Sequence, residues 1–146
     1  MYTIPDTREG WVESIKLLLL FFFKKDSNYP VFNYSKIRPK GELISTFGGL
    51  SSGSEPLQQL HERIINQFKG CERFITITDI VNVMNFIGCC VIAGNVRRSS
   101  EIALGDFNDE EFLKLKDYEK NPDRVEYGWA SNNSSFGRSE VGSRRV

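Results

Sequence analysis

The chain has little of what most side-chain chemistry needs. Of its 146 residues only three are cysteine, Cys71, Cys89 and Cys90, and only one is histidine, His61. Three cysteines without a CxxC spacing make neither an even disulfide set nor a zinc site, and such usage suits a reducing compartment. A lone histidine with no second ligand or nucleophile at a useful spacing makes no metal site and no catalytic dyad. Beside Leu60, Glu62 and Arg63, His61 reads as a helix-surface residue. Excess charge is also missing: 19 basic residues balance 19 acidic ones. Bulk electrostatics therefore draw the chain toward neither nucleic acid nor a membrane surface. The N-terminal apolar run from Leu17 to Phe23 is seven residues long, too short to span a bilayer. It begins too late for a signal peptide and lacks a small-residue cleavage site. A cytoplasmic, non-membrane protein follows. No unit of roughly 20 to 50 residues repeats, which excludes solenoids and propellers.

What is present is an alternation of helices and short strands. Pro5-Asp6-Thr7-Arg8-Glu9 opens the first helix, with Asp6 or Thr7 as N-cap, and Trp11, Ile15, Leu18 and Phe22 recur at helical spacing down to Phe23. Its second half is apolar all round and needs cover from other structure, more than a 146-residue domain can spare. Val31 to Ile37 reads as a strand, broken by Arg38-Pro39-Lys40-Gly41. A glycine-rich loop, Phe47 to Gly53, leads to Ser54-Glu55-Pro56, where Ser54 caps a helix that carries Leu57, Leu60, Ile64 and Phe68 on one face and ends at Gly70. Thr78-Asp79 caps a third helix from Ile80 to about Ile92, in which Cys89 and Cys90 are small buried hydrophobes. Ser100 to Leu104 is a strand, Asn108-Asp109 caps a short helix over 110–116, and Asp117 to Glu126 is a charged loop. This order predicts an α/β fold with parallel strand pairing, its functional loops gathered at strand ends.

Between the third helix and the strand beyond it lies Gly94-Asn95-Val96-Arg97-Arg98-Ser99. Gly94 takes a left-handed backbone angle cheaply, and Asn95 tolerates one. Arg97 and Arg98 then offer planar forks of donors that match phosphate or carboxylate, the alternative being a solvated turn.

Four stretches in register carry a resemblance. Asp6-Thr7-Arg8-Glu9-Gly10-Trp11, Tyr34 to Gly41 with Phe47-Gly48-Gly49 and Ser52-Gly53, Gly94 to Ser99 through Gly105-Asp106, and Tyr127-Gly128-Trp129-Ala130-Ser131-Asn132-Asn133-Ser134 together resemble the adenosylcobalamin-dependent ribonucleoside-triphosphate reductases, the monomeric class II ribonucleotide reductases. The resemblance implies that residues 1–136 are part of the first half of that family's ten-stranded α/β barrel, with residues 137–146 a divergent, disordered tail. It implies a parent enzyme that converts ribonucleoside triphosphates to 2′-deoxyribonucleoside triphosphates by thiyl-radical chemistry, with adenosylcobalamin as cofactor and a thioredoxin-type reductant. The radical cysteine, the redox cysteine pair and the cobalamin site lie outside this piece in that family. Catalytic and metal-binding residues are therefore expected to be absent, and the fragment alone inactive. What the resemblance assigns here is a specificity site for a deoxynucleoside triphosphate effector. Asp6 and Thr7 at the helix start would receive the ribose hydroxyl or base edge, Arg38 would face the phosphates, and the loop of Gly94, Asn95, Val96, Arg97, Arg98 and Ser99 would report the effector to the ribonucleoside triphosphate substrate. A non-catalytic nucleotide-binding regulatory module is the alternative.

Overall fold

A computed structural model describes residues 1–24, 28–45, 48–70, 74–93 and 99–137. The first layer begins with β1 (Tyr2–Thr3), passes through α1 (Arg8–Lys24) and returns to β2 (Phe32–Asn33), which lies parallel to β1 with Tyr2 opposite Phe32. The helix starts where it does because the Thr7 hydroxyl accepts the Gly10 N–H at 3.0 Å, which settles the cap on Thr7 rather than Asp6. Gly10 is required there, since a Cβ would stand 2.7 Å from Pro5. The strand read from Val31 to Ile37 contracts to two residues. Asn33 Oδ1 accepts the Ser35 N–H at 2.9 Å, and the Ile37 N–H bonds back to the Tyr34 carbonyl at 3.0 Å, so side-chain and backbone turns end the extended run.

The second helix, α2 (Glu55–Phe68), has Pro56 in its first turn and is followed by Gly70 at φ 71°. Ser54 sits at the N-cap position but caps nothing with its side chain; its hydroxyl accepts from Gln58 Nε2 instead. In α3 (Ile77–Ile92) the cap is not Thr78-Asp79 as the sequence suggests. Thr76 is the N-cap and Asp79 the third residue of a reciprocal capping box. Thr78, freed from that role, bonds Glu111 through both its N–H and its hydroxyl.

A second parallel pair, β3 (Glu101–Asp106) and β4 (Ser131–Phe136), runs in register from Glu101 opposite Ser131 to Asp106 opposite Phe136. Between them come α4 (Glu110–Lys114), capped by Asp109, and two 3-10 turns, Pro122–Glu126 and Gly128–Ala130. Parallel strands joined through helices are α/β architecture. The described residues hold two such two-stranded pairs, a small mixed unit in which a barrel is not displayed.

The main core lies between α1, α2 and α3, where Ile4, Leu18, Leu57, Leu60, Ile64 and Phe86 are buried. Val81, Phe112 and Leu115 form a smaller cluster beneath β3. The all-round apolar end of α1 is only partly covered: Leu18 is fully buried, whereas Phe23 remains 47% exposed. Among the described residues no helix is long and apolar enough to cross a membrane. The tail beyond residue 137, the loop residues Gly94, Asn95, Val96, Arg97 and Arg98, and Cys71 lie outside the described residues.

Candidate functional site

Three of the residues singled out in the sequence, Asp6, Thr7 and Arg38, meet at one cavity of about 620 Å³. Asp6 and Thr7 belong to the entry of α1, and Arg38 stands on the turn that follows β2. The Arg38 Nε–H donates to Asp6 Oδ2, and Nη1 donates to the Leu43 carbonyl at 3.3 Å. Arg38 and Asp6 retain 31% and 28% side-chain exposure, so the pair is open to an incoming ligand. Below it the cavity floor is apolar, formed by Trp11 and Ile15 of α1, Leu57 and Leu60 of α2, and Ile87 and Val91 of α3. An ionic rim over an apolar floor fits a ligand with one charged end and one flat or apolar end.

The glycine-rich loop completes the rim. Gly48 and Gly49 adopt φ of 67° and 105°, a conformation most L-residues resist. Their turn lets Leu43 bridge Leu50 and lets the Ile44 N–H reach the Gly49 carbonyl at 2.9 Å. Beyond it Ser51 donates its hydroxyl to the Arg38 carbonyl at 3.4 Å. Phe47 lies outside the described residues. Of the loop assigned to effector reporting only Ser99 is described, and it is exposed just ahead of β3.

His61 is the clearest departure from the sequence reading. It is 2% exposed rather than on the surface, because Ser14 and Tyr34 supply partners for both ring nitrogens inside the core. Ser14 Oγ lies 3.0 Å from Nε2 and Tyr34 Oη 2.7 Å from Nδ1. The Ser14 hydroxyl donates its own proton to the Trp11 carbonyl at 2.7 Å, so Nε2 must be the protonated ring nitrogen and Nδ1 must accept from Tyr34. Phe32 covers the ring, centroid to centroid 4.4 Å. Burial pushes the imidazole pKa down to about 4 and, with the nearby Glu62 charge, the Tyr34 phenol up to about 12. Both are neutral near pH 7, and neither is poised for proton transfer.

The charged loop also hides a buried residue: Arg124 is 2% exposed. Its Nε–H donates to the Leu115 carbonyl at 2.8 Å and its Nη2 to Asn85 Oδ1 at 3.2 Å, while Nη1 donates to Asn82 Oδ1. Asn85 Nδ2 in turn donates to Glu101 Oε2 at 2.9 Å. Two asparagines in an otherwise apolar helix pattern were the one available signal. The two described cysteines are not activated: Cys89 and Cys90 are partly buried, and burial raises both thiols, Cys90 to about 11.

Residues 1–68 match the family model described as B12-dependent ribonucleotide reductase, insertion domain, which takes in Asp6, Thr7 and Arg38. The chain is 51% identical over 137 residues to a probable adenosylcobalamin-dependent ribonucleoside-triphosphate reductase of Dictyostelium discoideum, covering 93% of this chain and 18% of that protein. It is 53% identical over 138 residues to the adenosylcobalamin-dependent ribonucleoside-triphosphate reductase of Euglena gracilis, covering 94% of this chain and 19% of that protein. A crystal structure of a B12-dependent class II ribonucleotide reductase superposes with a TM-score of 0.79 at 32% identity, covering 92% of this chain and 18% of the other. Over most of its length the chain is similar to one segment of the B12-dependent ribonucleotide reductases. It spans under one fifth of the length of the curated relatives it matches, at 18% and 19%. Its cavity rim lies in the part that matches the insertion domain, whereas Ser99, β3 and β4 lie beyond that match.

Proposed function

We propose that this segment supplies the effector-binding rim of an adenosylcobalamin-dependent ribonucleoside-triphosphate reductase, an enzyme that makes deoxyribonucleoside triphosphates from ribonucleoside triphosphates. The observation that carries this reading is the meeting of Asp6, Thr7 and Arg38 at the lip of one cavity with an apolar floor. A deoxynucleoside triphosphate has the matching halves. Its phosphates suit the guanidinium of Arg38, whose Nη2 has no hydrogen-bond partner among the described residues, and its sugar hydroxyl suits the carboxylate of Asp6. Its base suits the floor beside Trp11.

The loop of Gly94 to Ser99 would carry the state of this rim toward the substrate. A ligand shifts such a loop only by the difference in its contacts with two arrangements, and a coupling of roughly 1 to 3 kcal/mol changes a substrate preference. Reduction itself, with its thiyl radical and thioredoxin-type reductant, belongs in this reading to other parts of the parent protein. Adenosylcobalamin is likewise expected to bind other parts of the parent protein, since His61 here is buried with both nitrogens engaged.

Calorimetric titration with dTTP and dATP tests the proposal. Saturable binding is expected, weakened about tenfold or more in Asp6→Ala and Arg38→Ala through loss of charge-assisted hydrogen bonds. Equal affinity in the wild type and both variants would overturn it.

A further inference from the structure

The two flanks of the cavity rim are joined behind it by a chain of directional hydrogen bonds. On one flank Tyr34 follows β2 directly and opens the turn that ends in Arg38, closed by the Ile37 N–H on the Tyr34 carbonyl at 3.0 Å. On the other, Trp11 sits one turn into α1, its N–H bonded to the Thr7 carbonyl at 3.1 Å. Between them the order is Tyr34 O–H to His61 Nδ1, His61 Nε2–H to Ser14 Oγ, and Ser14 O–H to the Trp11 carbonyl, at 2.7, 3.0 and 2.7 Å. Every donor in that series has one acceptor, and only one tautomer of His61 satisfies all three bonds. Ser14 and His61 are 0% and 2% exposed, so the inner bond of the series is closed to water, while the Tyr34 end is part-buried.

We propose that His61 is a positioning residue: the Tyr34–His61–Ser14–Trp11 series fixes the Arg38 turn against the start of α1 and so holds the Arg38 guanidinium on Asp6. This rests on the reading of Asp6 and Arg38 as the effector rim for its consequence, though not for its geometry. Arg38 is also held through Leu43, whose carbonyl accepts from Nη1, and Ser51, whose hydroxyl donates to the Arg38 carbonyl. The series supplies the constraint from the Tyr34 side, and with both in place a ligand meets a preformed guanidinium rather than one it must order.

The test reads Arg38 directly. Proton exchange of the Arg38 Nε–H with water is followed by NMR in the wild-type chain, in Tyr34→Phe, which deletes one hydroxyl, and in His61→Gln. Leu115→Ala serves as a control that loosens the separate cluster under β3. Loss of one bond of the series is expected to speed Nε–H exchange by about threefold to tenfold, with Leu115→Ala leaving it at the wild-type rate despite lower stability. Tyr34→Phe is the arm that keeps the fold should His61→Gln fail to do so. An unchanged rate in Tyr34→Phe, or the same acceleration in Leu115→Ala, would overturn the inference. A dTTP titration of the wild type and Asp6→Ala, run beside it, decides the effector reading separately. An absence of dTTP binding with a Tyr34-dependent Nε–H would retire that reading and leave the positioning series standing.

Discussion

Acidification should destabilise this chain well before its carboxylates titrate, and His61 is the reason. The imidazole is held neutral down to about pH 4 in the folded state, whereas in the unfolded chain it takes up its proton near pH 6.5. Between those values the unfolded state binds the extra proton, so stability rises with pH across the window and is lost as pH falls from about 6.5 toward 4. A separation of this size amounts to about 3 kcal/mol over the whole window, and to about 2 kcal/mol between pH 7 and pH 5. Against a total stability of roughly 5 to 15 kcal/mol that is a large fraction. Urea denaturation followed by far-ultraviolet circular dichroism at pH 7, 6 and 5 measures it. His61→Gln should be less stable at pH 7 but lose most of the slope between pH 7 and 5. The depressed carboxyls of Glu110, Glu111 and Asp117 act in the same direction at lower pH, because each contributes stability that disappears as pH falls through its own range. They should remain in both proteins. A wild-type slope retained in His61→Gln would refute the assignment to this residue.

Other perturbations separate folding from binding. Arg124→Ala leaves the buried oxygens of Asn82 and Asn85 without their donor and should cost about 3 kcal/mol in chemical denaturation. Thr76→Ala removes the capping box of α3 and should cost about 1 kcal/mol by the same assay. Gly105→Ala sets a methyl about where the Phe112 ring now stands, 2.4 Å from its carbons, and should lower the melting temperature through displacement of Phe112, while Gly41→Ala meets no such atom and is strained only by its φ of 90°. Arg38→Ala should hardly move the melting temperature, because a half-exposed ion pair is worth about 1 kcal/mol or less.

Elements whose cause is local were legible. Thr7 before a helical period, Pro56 at a helix start, Gly70 after a helix end and Asp109 ahead of α4 each act within a few residues, and the helices lie close to where those signals set them. Parallel pairing agrees with the expected fold class, but β4 carries no strand signal of its own: Ser131–Phe136 is Ser and Asn up to its last residue, and its extended run is set by the ladder it forms with β3. The strand after Val31 was overextended because its end is set by Asn33 folding back on the Ser35 N–H, a competition between side chain and ladder that alternation does not display. The α3 cap was misplaced for a related reason. Thr76 and Thr78 are equally good caps by type, and the choice fell on Thr76 because Glu111, 33 residues away, takes Thr78.

His61 shows where reading by neighbours fails. Leu60 and Ile64 mark the buried face of α2, and His61 lies next to that stripe in rotation, so its burial depended on whether partners waited across the interface. Those partners are Ser14, 47 residues earlier, and Tyr34, 27 residues earlier. A serine in the middle of an apolar helix face is the half of the signal that α1 carries, and a histidine beside an apolar stripe is the half that α2 carries. Neither has meaning until the two helices pack. Arg124, Asn82 and Asn85 repeat the pattern: polar residues at inward positions of separate elements must find each other, since an unmatched one would cost more than an apolar substitute. In an α/β segment such as this, inward-facing polar residues on different helices are therefore better paired with one another than assigned singly to the surface. Asp6 and Arg38 fall outside that rule: both stand at element ends where neither is buried enough to need the other, and they meet while still open to a ligand.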